Sequence, residues 1–380
     1  MAPVTPPPIE LERVEDKRHL GRFLEVPHHI YRDDPAWIAP LNLEQRERFS
    51  PKNLFFQHAR WCGWVATREG RPVGRITAQV DELQLAHGAE RLGYFGMIEA
   101  VDDAAVFESL FAAAEGWLRE QGMTRVRGPL NLHINEEVGL LVEGFDTPPF
   151  VMMGHARPWY GPRIEALGYS GAKNLLAYHI RPDFDAPRVM TRLAERVSDR
   201  VSVRALKRDD LTAEADAMRD IFNDAWQNNW GFVPWDAEDW QHTVSTLTKL
   251  MPDEYIQIAE LDGEPAAFIV ALPNLNEAAR DLKGRLFPFG WLKLLWRIKV
   301  RHPRTARVPL MGVRLELQHS RLGPTLAFMV IDAVRKALHA RGVEDVEMGW
   351  ILEDNDGMRN IIETIGGEAY KRYRVYEKPL

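Results

Sequence analysis

One cysteine, Cys62, occurs in 380 residues. No disulfide can close within the chain, and such usage fits a reducing compartment. No apolar run approaches the ~18 to 20 residues that a spanning helix needs. The opening Met1-Ala-Pro-Val-Thr-Pro-Pro-Pro has neither the basic cluster nor the apolar core of a secretory signal. A cytoplasmic protein is expected, with at most a peripheral place on the inner membrane. Positive charge is not in excess: 48 Lys and Arg stand against 55 Asp and Glu, a net charge of −7. That balance gives no general case for nucleic acid as a partner. No metal-ligand spacing such as HExxH is present, so no metal is expected.

What is abundant is tryptophan, with twelve residues, and internal similarity. Trp61–Val80 and Tyr255–Leu272 each read as two strands joined by a Gly turn. Phe107–Asn135 and Val330–Asn355 each read as a helix, a stop glycine (Gly122 and Gly342) and a strand. Tyr160–Ile180 and Met358–Lys378 each read as a short helix, a Gly turn and a closing strand rich in Tyr. One αβ unit is therefore used twice: residues 1–182 and 201–380, joined by a linker helix within 183–200. Each copy carries one extra segment, around Leu130–Trp159 in the first and Asn274–Arg304 in the second. Segments added to a shared scaffold tend to carry the specific function.

The second copy holds the most informative stretch. Val308–Leu317 is apolar and β-branched, with Arg314 and Glu316 alternating against Val313, Leu315 and Leu317, which predicts a strand. Leu326, Val330, Val334 and Leu338 then recur every four residues on one helical stripe. Between them lies Gln318-His319-Ser320-Arg321-Leu322-Gly323-Pro324-Thr325. Such a turn aims backbone N–H groups and the positive end of a helix dipole at one point, which suits an anion. The following strand ends in Glu353-Asp354-Asn355. In the first copy, Tyr94–Glu99 leads instead into acidic Asp102-Asp103, a poor phosphate site, so the second copy is the expected binder.

At these residues the chain resembles the acyl-CoA-binding core of the GNAT acyltransferase superfamily. Gly323 fits that family's pyrophosphate turn and Asn355 its strand end. Ser320 and Thr325 depart from the turn pattern, and Ile362 stands where a Tyr general acid is usual. Asn228–Trp235 (NNWGFVPW), Gly284–Leu295 (GRLFPFGWLKLL) and Gly349–Asn355 (GWILEDN) resemble bacterial tandem-GNAT proteins, a group that includes the bacterial ceramide synthases. The resemblance implies two tandem GNAT-like domains of α/β class, each a mixed, mostly antiparallel sheet with a splayed parallel central pair flanked by helices. It implies an acyl-CoA-dependent N-acyltransferase acting on a long-chain amine such as a sphingoid base. A non-catalytic lipid or acyl-CoA binder and a small-amine acetyltransferase stay open as alternatives.

Acyl-CoA is then the expected co-substrate, held by Val313, Leu315, Gln318, Arg321, Gly323, Thr325 and Asn355. Main-chain donors near Val313–Leu315 are candidates for the oxyanion site. Candidate bases are Glu353 first, then Glu347 and Glu316, with Glu136 of the first copy. Candidate acceptor-site residues are Asn131, His133 and Asn135 in the first copy's insertion, and Trp226, Asn229 and Trp230 in the second copy. Phe287, Phe289 and Trp291 lie in the second insertion, interleaved with Lys293, Arg297, Lys299, Arg301 and Arg304. Basic and aromatic residues alternating in this way suit an anionic membrane surface, an acyl chain, a partner or CoA phosphates.

Overall fold

The computed structural model describes residues 7–88 and 90–380; the Met1–Pro6 stretch read above lies outside them. The chain forms two compact units. Unit 1 comprises Met1–Leu175, Ala279–Leu286 and Lys371–Leu380, and unit 2 comprises Leu176–Ala278 and Phe287–Tyr370. The repeat boundaries at 182 and 201 therefore differ from the compact units at the closing strands. Residues 176–180 of the first copy's last strand belong to unit 2, and the last ten residues of the second copy belong to unit 1. A closing strand is held by its hydrogen-bonded neighbours rather than by its place in the sequence repeat. Tyr376–Pro379 pairs with Arg125–Gly128 inside unit 1.

In unit 1 the strands Glu10–Arg13, Ala59–Arg68, Arg71–Asp81 and Leu92–Ala100 pair in sequence order, all antiparallel. Leu92–Ala100 then pairs in parallel with Arg125–Gly128, through Leu92, Gly93 and Tyr94 only. The helix Ala104–Glu120 covers the sheet and buries Val106, Phe107, Leu110 and Phe111. Asp103 caps its first turn by accepting the Ala105 N–H at 2.9 Å.

Unit 2 repeats the plan. Val201–Ala205, Ile256–Leu261, Glu264–Pro273 and Thr305–Val313 pair antiparallel in order. Thr305–Val308 then pairs in parallel with Asp345–Met348. The stripe Leu326, Val330, Val334 and Leu338 is buried on the helix Leu322–Ala340, as its spacing predicts. The linker segment forms a helix over Arg188–Val197, with no fully buried side chain.

One strand is shorter than its pattern implies. The strand read over 308–317 occupies Thr305–Val313, and Leu315–Gln318 is a separate helical turn. Apolar alternation does not see the cause, which is tertiary. The Arg314 N–H donates to the Ala266 carbonyl at 2.9 Å, and the Leu315 N–H donates to the Asp224 carboxylate at 2.7 Å. Asp224 thus caps the new turn from a different helix.

Candidate active site

In unit 2 the parallel pair separates after Val308 and Met348. Two local features open it. The ladder between Glu264–Pro273 and Thr305–Val313 shifts register between Val270 and Leu272, placing an extra residue in the 305–313 strand. Pro309 sits at this bulge and has no N–H to offer a neighbour. The result is a cavity of about 810 Å³ between the diverging strands. Its walls include Val308–Val313, Met348–Leu352, the helix end at Ala225–Trp226, and Asn228–Trp230. It reaches Gln318, His319, Gly323 and Pro324 at the start of the long helix, and Asp354 and Asn355 beyond the second strand. Both ends of the parallel pair that face the cavity are carboxyl ends, where open α/β sheets place ligands.

Strand geometry supplies donors. The Met311 carbonyl accepts from the Trp226 indole N–H at 3.1 Å, and the Val313 carbonyl accepts from the Gln318 amide at 2.8 Å. Neither carbonyl is spent on the neighbouring ladder, and the N–H of the same strand residue points the same way. Met311 and Val313 therefore turn N–H groups toward the cleft. The donors expected at Arg314 and Leu315 are already engaged, as described above.

The sequence candidates divide around this cavity. Val313, Gln318, Gly323, Asn355, Trp226, Asn229 and Trp230 line it. Leu315, Arg321 and Thr325 lie beside it without lining it; Thr325 is buried and its hydroxyl donates to the Arg321 carbonyl at 3.0 Å. Asn355 caps the helix Asp356–Thr364 by accepting the Met358 N–H at 3.1 Å. Gly323 is demanded by packing: a Cβ there would lie 2.5 Å from the Leu317 carbonyl oxygen. This close approach seats the helix start against the preceding turn.

No glutamate chosen from the sequence in unit 2 lines the cavity. Glu316 is exposed on the short helical turn. Glu353 occupies the turn after the strand, where its carbonyl accepts from Arg359 at 2.8 Å. Glu347 is fully buried and faces Arg307, itself 2% exposed, with Nε to Oε1 at 3.5 Å. The Tyr370 hydroxyl donates to Glu347, and Arg307 also donates to the Gly349 carbonyl at 2.8 Å. The carboxylate that does line the cavity is Asp354. In the sequence it stands in the strand-end triplet Glu353-Asp354-Asn355, where no pattern singles it out. Met190, Met311, Met348 and Met358 are also among the lining residues, and thioether side chains adapt to irregular apolar ligands.

In unit 1 the equivalent strand edge is filled by the chain's own insertion. The Met97 N–H donates to Asn131 Oδ1 at 2.8 Å, and the Asn131 amide donates to Glu137 at 2.9 Å. His133 accepts the Asn135 N–H at 3.1 Å. Glu136 and Glu137 flank the Arg48 guanidinium, each at 3.3 Å. Burial raises the Glu136 pKa despite Arg48, whereas Arg48 and Asn131 overcome burial and lower that of Glu137. Asn131, Glu137, Arg48 and Glu136 are thus linked by hydrogen bonds and ion pairs. Phe287, Phe289 and Trp291 are surface residues that do not line the unit 2 cavity.

Glu99 of unit 1 gives a pH prediction. Burial pushes its pKa from 4.5 up to about 7, partly offset by Arg75 and the hydroxyls of Tyr31 and Tyr160. The folded state then binds a proton that the unfolded state has released. Its contribution to stability is fully present below about pH 4.5 and is lost as pH rises through about 7. Glu99→Gln should shrink the parent's loss of stability between those limits by up to about 3 kcal/mol. Urea titrations at pH 5 and pH 8, as nominal conditions about one unit outside the upper limit and near the lower one, read it. An unchanged difference between the two pH values would show that Glu99 does not titrate there.

No family model matches the chain. It is 50% identical over 366 residues to Protein YghO of Escherichia coli, covering 96% of this chain and 94% of that protein. It is 46% identical over 370 residues to the bacterial ceramide synthase of Caulobacter vibrioides, covering 97% and 96%. The chain belongs to the bacterial ceramide synthase family. Membership places it among the N-acyltransferases. This family member also has the tandem GNAT fold. A tandem GNAT protein from the clavulanic acid biosynthesis pathway superposes with a TM-score of 0.57 at 14% identity, covering 98% of each chain. A GCN5-related N-acetyltransferase from Sphaerobacter thermophilus gives 0.57 at 11% identity, covering 99% and 97%. At such identities the solved structures speak for the fold alone.

Proposed function

We propose that the chain transfers a fatty acyl group from acyl-CoA to the amino group of a sphingoid base, forming the amide of a ceramide. The observation that carries this reading is the unit 2 cavity, which joins a helix N-terminus to a methionine-rich cleft with one lining carboxylate. The CoA diphosphate sits at Gln318–Pro324, where first-turn N–H groups and the helix dipole favour an anion. The pantetheine follows the splayed strand, and the thioester carbonyl meets the N–H groups of Met311 and Val313. The acyl chain occupies the methionine-lined part of the cleft. Asp354 takes the proton that the ammonium must lose before its nitrogen attacks the thioester carbon. The carbon–nitrogen bond forms, the tetrahedral oxyanion collapses with cleavage of the carbon–sulfur bond, CoA leaves as the thiolate, and the nitrogen's second proton passes to solvent. That leaving group needs no proton, which accommodates Ile362 at the position of the family's usual Tyr. The reaction belongs in the cytoplasm, where acyl-CoA is available, and needs no metal.

A charge placed at the helix start tests the CoA site. Gly323 is unsuitable, because any side chain there meets the Leu317 carbonyl. Pro324 is exposed, lines the cavity and occupies the first helical turn, where Glu favours the helix. Pro324→Glu should keep or raise the melting temperature while weakening acyl-CoA binding by about tenfold or more. Calorimetric titration with acyl-CoA measures it. Parental affinity in a folded Pro324→Glu variant would remove the diphosphate from this turn.

A further inference from the structure

The segment Phe287–Arg304 presents its apolar side chains outward. Phe287, Phe289, Trp291, Leu292, Leu295, Trp296 and Val300 are 44% to 76% exposed. Elsewhere among the described residues, the large apolar side chains comparably exposed are Leu11, Leu43 and Val189. Trp291, Leu295 and Lys299 form one helical row, and Leu292, Trp296 and Val300 the adjacent row. The inward side is anchored: Ile298 is buried, and Arg297 donates to the Ala278 carbonyl at 2.7 Å. The apolar face is therefore held out in a fixed conformation.

The segment contains Lys293, Arg297, Lys299, Arg301 and Arg304 and no acidic residue. Lys299 makes its hydrogen bond to the Lys249 carbonyl, which leaves its charge in place. Arg304 pairs with Glu344 at 2.6 Å. Projecting aromatic and aliphatic groups amid net positive charge match the headgroup region of an anionic bilayer, where indoles sit at the interface and basic side chains meet phosphates. A symmetric second copy matches poorly, because a two-fold contact would set each basic segment against another. No helix among the described residues is long and apolar enough to cross a membrane.

We infer that Phe287–Arg304 is a docking surface for anionic lipid bilayers, with the 291–300 helix lying in the plane of the headgroups. This inference stands on the surface alone and does not depend on the reaction proposed above. The test is cosedimentation of the full chain with phosphatidylglycerol–phosphatidylcholine vesicles and with pure phosphatidylcholine vesicles. Binding to the anionic vesicles should be roughly tenfold or more tighter and should weaken as salt rises. Two double variants separate the contributions: Trp291→Ser with Trp296→Ser, and Lys299→Gln with Arg301→Gln. Each alters exposed side chains, so melting temperatures should match the parent. Each should lose most of the binding to anionic vesicles. Equal partition into both vesicle types, or full binding by either double variant, would overturn the inference. So would sedimentation velocity showing a dimer that the tryptophan variant abolishes while the parent ignores vesicles.

Discussion

Asp354→Asn should slow acyl transfer by about 10²- to 10⁴-fold at near-neutral pH, the usual cost of a lost general base. Acyl-CoA affinity should persist, because the substitution preserves size and lies away from the helix start. The deficit should shrink as pH rises, since more of the amine then arrives already deprotonated. Glu353→Gln is the matched control, removing a neighbouring carboxylate that does not line the cavity. Steady-state rates across a pH series, with acyl-CoA saturating, measure both variants. Parental turnover in Asp354→Asn would exclude it as the base. A large loss in Glu353→Gln alone would return the role to the residue favoured by the sequence.

Glu347→Ala should cost about 3 to 5 kcal/mol of stability, because it leaves Arg307 buried without its counter-charge. Arg307 would keep the Gly349 carbonyl as a partner, which satisfies one hydrogen bond and neutralises no charge. Replacing both partners, Arg307→Met with Glu347→Leu, should stay much closer to the parent, since an apolar pair removes both desolvation penalties. Denaturant midpoints at a common slope read the difference. A loss below ~1 kcal/mol in Glu347→Ala would place the pair in the range of solvated surface bridges. Glu347 is buried against Arg307 and does not line the cavity.

Glu347 also illustrates what the sequence could and could not convey. Its place in a strand is legible from the helix, stop glycine and strand pattern of Val330–Asn355, but one residue of register decides which face reaches the cleft. Gly323 is legible as the glycine of a turn before the helix; that a Cβ there would meet the Leu317 carbonyl is recorded by no motif. The four-residue stripe from Leu326 to Leu338 specified a buried helix because its period matches the helical turn. The end of the strand at Val313 was invisible, since Asp224 reaches it from another helix. The repeat itself was readable from glycine-stopped helices and paired hairpins. Its closing strands were not assignable, because hydrogen-bonded neighbours decide where they belong. Nothing in the Glu353-Asp354-Asn355 triplet tells which residue of the turn borders a cavity.

Mass spectrometry of the products is the most direct test of N-acyl transfer to a long-chain base. The purified chain would receive acetyl-CoA and long-chain acyl-CoAs together, with a sphingoid base and small amines in competition. The expected product is the N-acyl sphingoid base carrying a long chain, with one CoA thiol released per amide and both formed about 10²- to 10⁴-fold more slowly by Asp354→Asn. Acetylated small amines as the only products, or no amide from any pairing by a folded parent, would contradict it.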